Sequence, residues 1–325
     1  MIKAESPLVS IHCLVYNHEP YLRNAIEGFL VQETTFPFEI LIHDDASTDN
    51  SATIIKEYAA KYPDLIKPLY QKENQYSKGV DITYDFQISR ALGKYIAICE
   101  GDDYWTDPKK LQKQVDFLEN NPHFGLVFTD FDKLFNNSGI IHKSLFKNGE
   151  EIPYTEFIDI LENKPYLAPC TWVYRKEFTP QKRGNYTDWS YTILLDIAKE
   201  SKIKFMEDST AVYRLLPESA SHSKSIKKQF NYMKGVYKIQ MEYAAKYSIE
   251  SKVIDKINSK YFVEIFPYTV AGRDQDTTKC AISSILKNHQ FSLRFLIIII
   301  LYCIGIGSFL LNKYFMFKRK YLDKT

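Results

Sequence analysis

The chain has 325 residues, 45% hydrophobic, 25% charged and 15% aromatic, the profile of a globular protein with a sizeable core, and this excludes intrinsic disorder. Its 42 basic and 40 acidic side chains leave +2, too little for the basic field that non-specific nucleic-acid binding needs, so no nucleic-acid partner is expected. The five cysteines (Cys13, Cys99, Cys170, Cys280, Cys303), odd in number and scattered, argue against a disulfide framework or zinc ribbon, and no apolar signal segment opens the chain, so the expected compartment is the reducing cytoplasm.

Leu8 to Val15 is an apolar run of strand length, after which Tyr21, Leu22, Ala25, Ile26, Phe29 and Leu30 recur at helical spacing. Phe38 to His43 reads as a second strand, and Ile54, Ile55, Tyr58 and Ala59 mark a helix that stops before Pro63. Ile66 to Tyr70 gives a third strand, Ile82 to Leu92 a third helix and Tyr95 to Cys99 a fourth strand. A helix over Lys109 to Glu119 and a strand over Phe124 to Thr129 follow, and Asn136-Asn137-Ser138-Gly139 is a turn that suits a hairpin. Short helices and strands mix from Tyr154 to Arg214, including a helix from Trp189 to Ala198, and Ile226 to Tyr247 is Lys-rich and helical in pattern. Strands joined by helices of this length run parallel. The expectation is therefore an α/β fold with a doubly wound, mostly parallel sheet, its ligand crevice at the carboxyl ends of the strands.

Two acidic clusters sit at such ends. In Asp44-Asp45-Ala46-Ser47-Thr48-Asp49, helix capping accounts for one side chain. Two adjacent carboxylates after an apolar strand also repel and lose hydration, a cost that a ligand donor or cation offsets. Glu100-Gly101-Asp102-Asp103-Tyr104-Trp105 gathers three carboxylates around a glycine that permits close backbone approach. Hard oxygen ligands in a short turn suit Mg²⁺ or Mn²⁺ that takes its other ligands from a diphosphate. A solvated acidic loop is the plain alternative, and Tyr104 and Trp105 count against it. Neither a Walker loop nor a G-x-G-x-x-G is present.

At these residues the sequence resembles the inverting family 2 glycosyltransferases of GT-A fold, a Rossmann-like architecture, in particular bacterial enzymes of capsule and lipopolysaccharide assembly. The resemblance is carried by Val9-Ser10-Ile11 with Tyr16-Asn17, by both acidic clusters and by Gly93-Lys94-Tyr95-Ile96-Ala97. It extends through Lys110-Leu111-Gln112-Lys113-Gln114 and continues in patches to His222. It implies that Val15, Tyr16 and Asn17 wall a nucleotide pocket, with Asp45 on the base and Asp44 and Ser47 beside it. Glu100 and Asp102 fall on the family's D-x-D positions, the first near the ribose and the second on the metal. The additional Asp103 leaves two candidate ligands. Asp188, before the Trp189 helix, matches the family's catalytic base, although an ordinary N-cap explains an Asp there as well. Val212-Tyr213-Arg214 and the following Ser219-Ala220-Ser221-His222 resemble the segment that closes over the diphosphate; Leu216 stands where relatives carry a histidine, so His222 is the candidate imidazole ligand.

The implied activity is metal-assisted transfer of a sugar, with inversion, from a nucleotide-diphosphate donor to a hydroxyl of a saccharide or lipid-linked acceptor, in cell-surface polysaccharide synthesis. Family habit favours a uridine diphosphate sugar. A glycoside hydrolase fits less well, since its two acids need no cation and normally stand on separate strands. A nucleotidyltransferase usually shows a basic, Gly-rich loop where Tyr16-Asn17-His18-Glu19 stands, and a non-catalytic scaffold of a polysaccharide assembly complex would carry a decayed site.

The expected organisation is a GT-A domain over residues 1–225, a helical region over 226–290 and an apolar, basic tail over 291–325. From Lys287 onward seven basic residues stand against Asp323 alone, a net of +6. Between them Phe295 to Leu311 is uncharged and apolar, a little shorter than the roughly 20 residues of a bilayer-spanning helix. Basic residues on both sides suit a shallow or re-entrant anchor on the inner leaflet better than a single crossing, which implies the cytoplasmic face of a membrane; a buried core helix is the alternative.

Overall fold

Strands of a parallel sheet covered on both faces need nearly continuous apolar sequence. The first such run is β1 (Val9–Val15), almost wholly buried in this computed structural model, which describes residues 6–179, 186–216, 225–287 and 293–322. The chain divides into two units. Met1–Leu134, Ile141–Ile160 and Lys164–Arg214 form the first, and Phe135–Ile140, Leu161–Asn163 and Leu215–Thr325 the second.

In the first unit β1 lies between β2 (Phe38–Asp44) and β4 (Tyr95–Ile98), with β3 (Ile66–Tyr70) outside β2, and all these pairs are parallel. Helix α1 (Leu22–Leu30) buries Leu22, Ala25, Ile26 and Phe29, the stripe expected from their spacing. Helices α2 (Ser51–Lys61) and α3 (Lys110–Asn120) likewise bury Ile54, Ile55 and Tyr58, and Leu111, Val115 and Leu118. The short strand β5 (Tyr104–Trp105), the long β6 (Phe124–Phe135), then β7 (Ile140–His142), α4 (Phe157–Asn163), β8 (Val173–Arg175), α5 (Trp189–Glu200) and β9 (Lys202–Leu215) complete the alternation. The sheet order is β3-β2-β1-β4-β8-β6-β9-β5, with β7 paired to β6 as the expected hairpin. Strand β8 runs against β4 and β6, and β5 against β9, so the sheet is mixed beyond its parallel half.

The helix expected over Ile82 to Leu92 is a π-helical turn (Thr83–Gln87) followed by a 3-10 turn (Ile88–Arg90). Side chains from this stretch hydrogen-bond the strands. Gln87 Nε2 donates to the Cys13 and Leu41 carbonyls, and Arg90 donates to those of Lys67 and Ile42. These tertiary bonds outweigh regular helix geometry.

The second unit is helical: α6 (Ile226–Lys246), α7 (Ser251–Gly272), α8 (Gln275–Lys287), α9 (Leu293–Cys303) and α10 (Gly307–Leu322). Phe266, Val270, Ala281, Ile285, Ile298 and Leu311 share one buried cluster. The apolar run Phe295 to Leu311 is broken between α9 and α10. Among the described residues no helix is long and apolar enough to cross a membrane.

Candidate functional site

The carboxyl ends of β2 and β4 carry the acidic clusters and that of β1 the Tyr16-Asn17 turn, where parallel topology places a crevice. After β1 the chain turns through Asn17 at φ 57°, and after β2 through Ala46 at φ 63°. Each is held there by the other's loop. The Asn17 N–H donates to Ser47 Oγ (2.9 Å), and Asn17 Oδ1 accepts from the Thr48 N–H (2.7 Å). The His18 N–H donates to Ser51 Oγ at 3.0 Å, and the Glu19 N–H to Asp49 Oδ2 at 2.9 Å. The two loops form one laced rim, on which Val15 is buried and Tyr16 exposed.

Asp44 and Asp45 are both buried. Burial raises the Asp44 carboxyl above its ordinary range, opposed by hydrogen bonding from Ser47. Asp45 grips the loop after β3: its Oδ1 accepts from the Gln75 N–H (2.8 Å) and its Oδ2 from the Tyr76 N–H (3.0 Å). Each oxygen keeps a second lone pair, so these bonds leave acceptor capacity.

The second cluster follows β4. The Gly101 N–H donates to the Leu14 carbonyl at 3.0 Å, and a Cβ at Gly101 would stand 2.9 Å from both His18 Nδ1 and Val15 Cγ2, so only glycine lets the chain pass. The three carboxylates then diverge in role. Glu100 is pushed up to about 8, first by burial and then by the Asp102 and Asp188 carboxylates. Asp103 points to β9, where its Oδ1 accepts the Arg214 N–H at 2.8 Å; burial, then Asp102, holds it well above the usual carboxylate range. Asp102 faces His18, with Oδ2 3.9 Å from His18 Nε2.

Arg214 closes the group. Its Nε donates to the Asp102 carbonyl at 2.9 Å, and its guanidinium lies over the rings of Tyr21 (4.6 Å) and Tyr104 (5.5 Å). Asp188 caps α5, its Oδ1 accepting from the Tyr191 N–H at 3.0 Å, with Lys164 Nζ 3.7 Å from Oδ2. It shares a field with the cluster, since Asp188 and Glu100 both act on the Tyr76 phenol, raised chiefly by burial.

The fit of a cation can be tested on Asp102. Its Oδ1 is buried without a hydrogen-bond partner, as is His18 Nδ1. An orphaned buried acceptor costs about 1–3 kcal/mol, which a cation would relieve, so a hard divalent ion fits here. Among the described residues no three His, Cys, Asp or Glu side chains converge on one point, so such an ion would draw further ligands from a diphosphate or water. His222 lies outside the described residues.

The fold thus brings Glu100, Asp102, Asp103 and Arg214 together, with Val15, Tyr16, Asn17, Asp44, Asp45 and Ser47 on the adjoining rim, while Asp188 stands at the start of α5 beside Lys164. Sequence reasoning missed His18, Tyr21, Tyr76 and Lys164. His18 had one signal, its place in Tyr16-Asn17-His18-Glu19 after the first strand, but a lone histidine has no ligand spacing.

The family model described as Glycosyl transferase family 2 matches residues 10–181, more than half of the chain and all of the first acidic rim. The chain belongs to glycosyl transferase family 2. The Mycobacterium tuberculosis protein Rv1520 is 34% identical over 220 residues, covering 66% of this chain and 61% of that protein, so this chain spans less than two thirds of such curated relatives. Residues 1–349 of Staphylococcus aureus TarS in complex with UDP-GlcNAc superpose with a TM-score of 0.59 at 18% identity, covering 85% of this chain and 79% of that one. The mannosyltransferase PcManGT from Pyrobaculum calidifontis, in complex with GDP-Man and Mn²⁺, gives 0.56 at 14% identity, covering 98% and 86%. At such identities the likeness is one of fold, the Rossmann-like GT-A fold that family 2 membership implies.

Proposed function

We propose that this family 2 protein transfers a sugar from a nucleotide-diphosphate donor to a hydroxyl of a saccharide or lipid-linked acceptor, with inversion at the anomeric carbon. The observation that carries the reading is that the carboxylate cluster after β4 is closed by Arg214 of β9, which bonds Asp103 and the Asp102 carbonyl and leaves Asp102 Oδ1 buried without a partner. A base and a diphosphate-binding cluster at one crevice are what an in-line displacement needs. Cell-surface polysaccharide synthesis is the setting we infer from the resemblance to capsule and lipopolysaccharide enzymes.

In the reaction, Asp188 accepts the acceptor's hydroxyl proton as the new bond forms to the anomeric carbon, and the departing electron pair leaves with the diphosphate. The bond to the Tyr191 N–H and the nearby Lys164 ammonium orient that carboxylate. Asp45 and the Asn17–Ser47 lacing present the base pocket, Glu100 lies near the ribose, and Arg214 holds positive charge beside the diphosphate. Asp102, with His18 beside it, would hold Mg²⁺ or Mn²⁺, which when bound neutralises charge on the leaving diphosphate as a Lewis acid. The other bonds of Asp103 suit it to anchoring β9.

The decisive assay is nucleoside diphosphate release from a panel of UDP and GDP sugars. Asp188→Asn should lose about 10²–10⁴-fold in turnover while titrating with donor as the parent does. Undiminished turnover would remove Asp188 from the mechanism. EDTA should abolish release and Mn²⁺ restore it; a rate indifferent to both would remove the cation. No release with any donor would leave a binding scaffold as the better reading.

A further inference from the structure

The end of the second unit has two faces of different character. Ile298 and Leu311 turn inward to the Phe266–Val270 cluster of α7, with Ile299 and Tyr302 packed beside them. Leu296, Ile297, Ile300, Ile304, Ile306 and Phe309 are exposed, Ile304 by 60% and Phe309 by 58%. No charged residue occurs between Arg294 and Lys313. The polar side chains of this stretch turn to α7: Ser308 Oγ accepts from Arg273 Nε at 3.4 Å, and Asn312 Nδ2 donates to the Ala271 carbonyl at 3.0 Å. What remains outside along this stretch is a set of exposed large apolar side chains close together in the two helices.

The connection between α9 and α10 turns the chain back with much of its backbone bonded internally. The Ile304 N–H donates to the Ile300 carbonyl (3.0 Å), Gly305 to Tyr302 (3.0 Å), Ile306 to Leu301 (3.1 Å) and Leu310 to Ile306 (3.2 Å), so these four backbone donors of the tip are satisfied within the hairpin. Gly305, at φ 80°, permits this closure. Internal satisfaction is the condition for backbone to enter hydrocarbon. Helices of 11 and 16 residues are about 16 and 24 Å long, against a hydrocarbon core of about 30 Å, so neither leg crosses it. The charge selects the medium. The net +6 from Lys287 onward complements an anionic surface and would set two copies of this tail against each other.

We propose that the α9–α10 hairpin is a monotopic membrane anchor that inserts, tip first, into one leaflet of an anionic bilayer. Ile304 and Ile306 lead, the exposed faces of both helices lie among acyl chains, and Lys313, whose ammonium lies over the Phe309 ring at 4.5 Å, reaches back toward the headgroups. The anchor is independent of the sugar-transfer reading.

Flotation of the full chain with phosphatidylethanolamine/phosphatidylglycerol vesicles tests it. The parent protein should float with these and not with phosphatidylcholine alone. Ile304→Asp/Ile306→Asp, altering exposed side chains, should lose at least about tenfold in bound fraction with an unchanged thermal melt. Ile152→Asp, at an exposed site in the first unit, should float as the parent does. Leaflet depth is read from an environment-sensitive fluorophore on the exposed Cys303, with the other exposed cysteine replaced by Cys280→Ser. Nitroxide lipids in the outer leaflet should quench it, and an aqueous quencher trapped inside the vesicle should not. Failure to float overturns the proposal. So does quenching from the trapped side, which means a crossing, or loss of the apolar face to a stable dimer in lipid-free buffer.

Discussion

Arg214 does three things with one side chain and its own backbone. Its N–H fixes Asp103, its Nε fixes the Asp102 carbonyl, and its guanidinium is stacked by Tyr21 and Tyr104. Arg214→Ala keeps the first and loses the others. It should cost about 1–2 kcal/mol of stability and, if the charge also meets a diphosphate, weaken UDP binding about tenfold. Calorimetry on variant and parent measures both; equal UDP affinity would confine Arg214 to a structural part. At this scale the sequence was legible where chemistry is local. A carboxylate trio directly after an apolar strand announces itself, whereas the division of labour within Glu100, Asp102 and Asp103 depends on β9, which arrives from 111 positions away. The His18–Asp102 pair was illegible for the same reason.

At the scale of elements, Asp188 carries a duty unrelated to chemistry, because its Oδ1 caps α5. Asn is as good a cap as Asp and Ala is a poor one. Asp188→Asn should therefore melt near the parent temperature, while Asp188→Ala loses about 1 kcal/mol, and both lose turnover. If the two variants melt alike, the cap is not a stabilising feature. Apolar spacing disclosed α1, α2 and α3 because each buries one stripe of its own side chains, whereas α5 buries five successive residues, Tyr191 to Leu195. Periodicity failed at Ile82 to Leu92, where the apolar spacing is helical but Gln87 and Arg90 bond the neighbouring strands. It also passed over β5, whose two residues, Tyr104 and Trp105, owe their strand geometry to pairing with β9.

For the molecule as a whole, two core histidines weaken the fold in acid. Burial, with Arg90 and Lys176, lowers His12 to about 3. Burial, with Arg90 adding and Asp45 opposing, lowers His43 to about 4. In the unfolded chain both take up protons near 6.5, so below that pH the unfolded state binds more protons and stability falls as pH drops toward the folded values. Each contributes a slope of about 1.4 kcal/mol per pH unit in that window. The raised Glu100 and Asp103 carboxyls act in the opposite sense over the same range, so the histidine part is read by difference: urea midpoints of His12→Leu should fall less, or rise more, than the parent's as pH drops below about 6.5, and an unchanged slope would reject the assignment. A last consequence follows from the grip of Asp45 on Gln75 and Tyr76. On the proposed reading a base seated against Asp45 steadies the very loop whose phenol feels Glu100 and Asp188. Substrates then add in compulsory order, nucleotide sugar ahead of acceptor. The released nucleotide should accordingly inhibit competitively against the donor and non-competitively against the acceptor, and the reverse pattern would show that the loop is set without it.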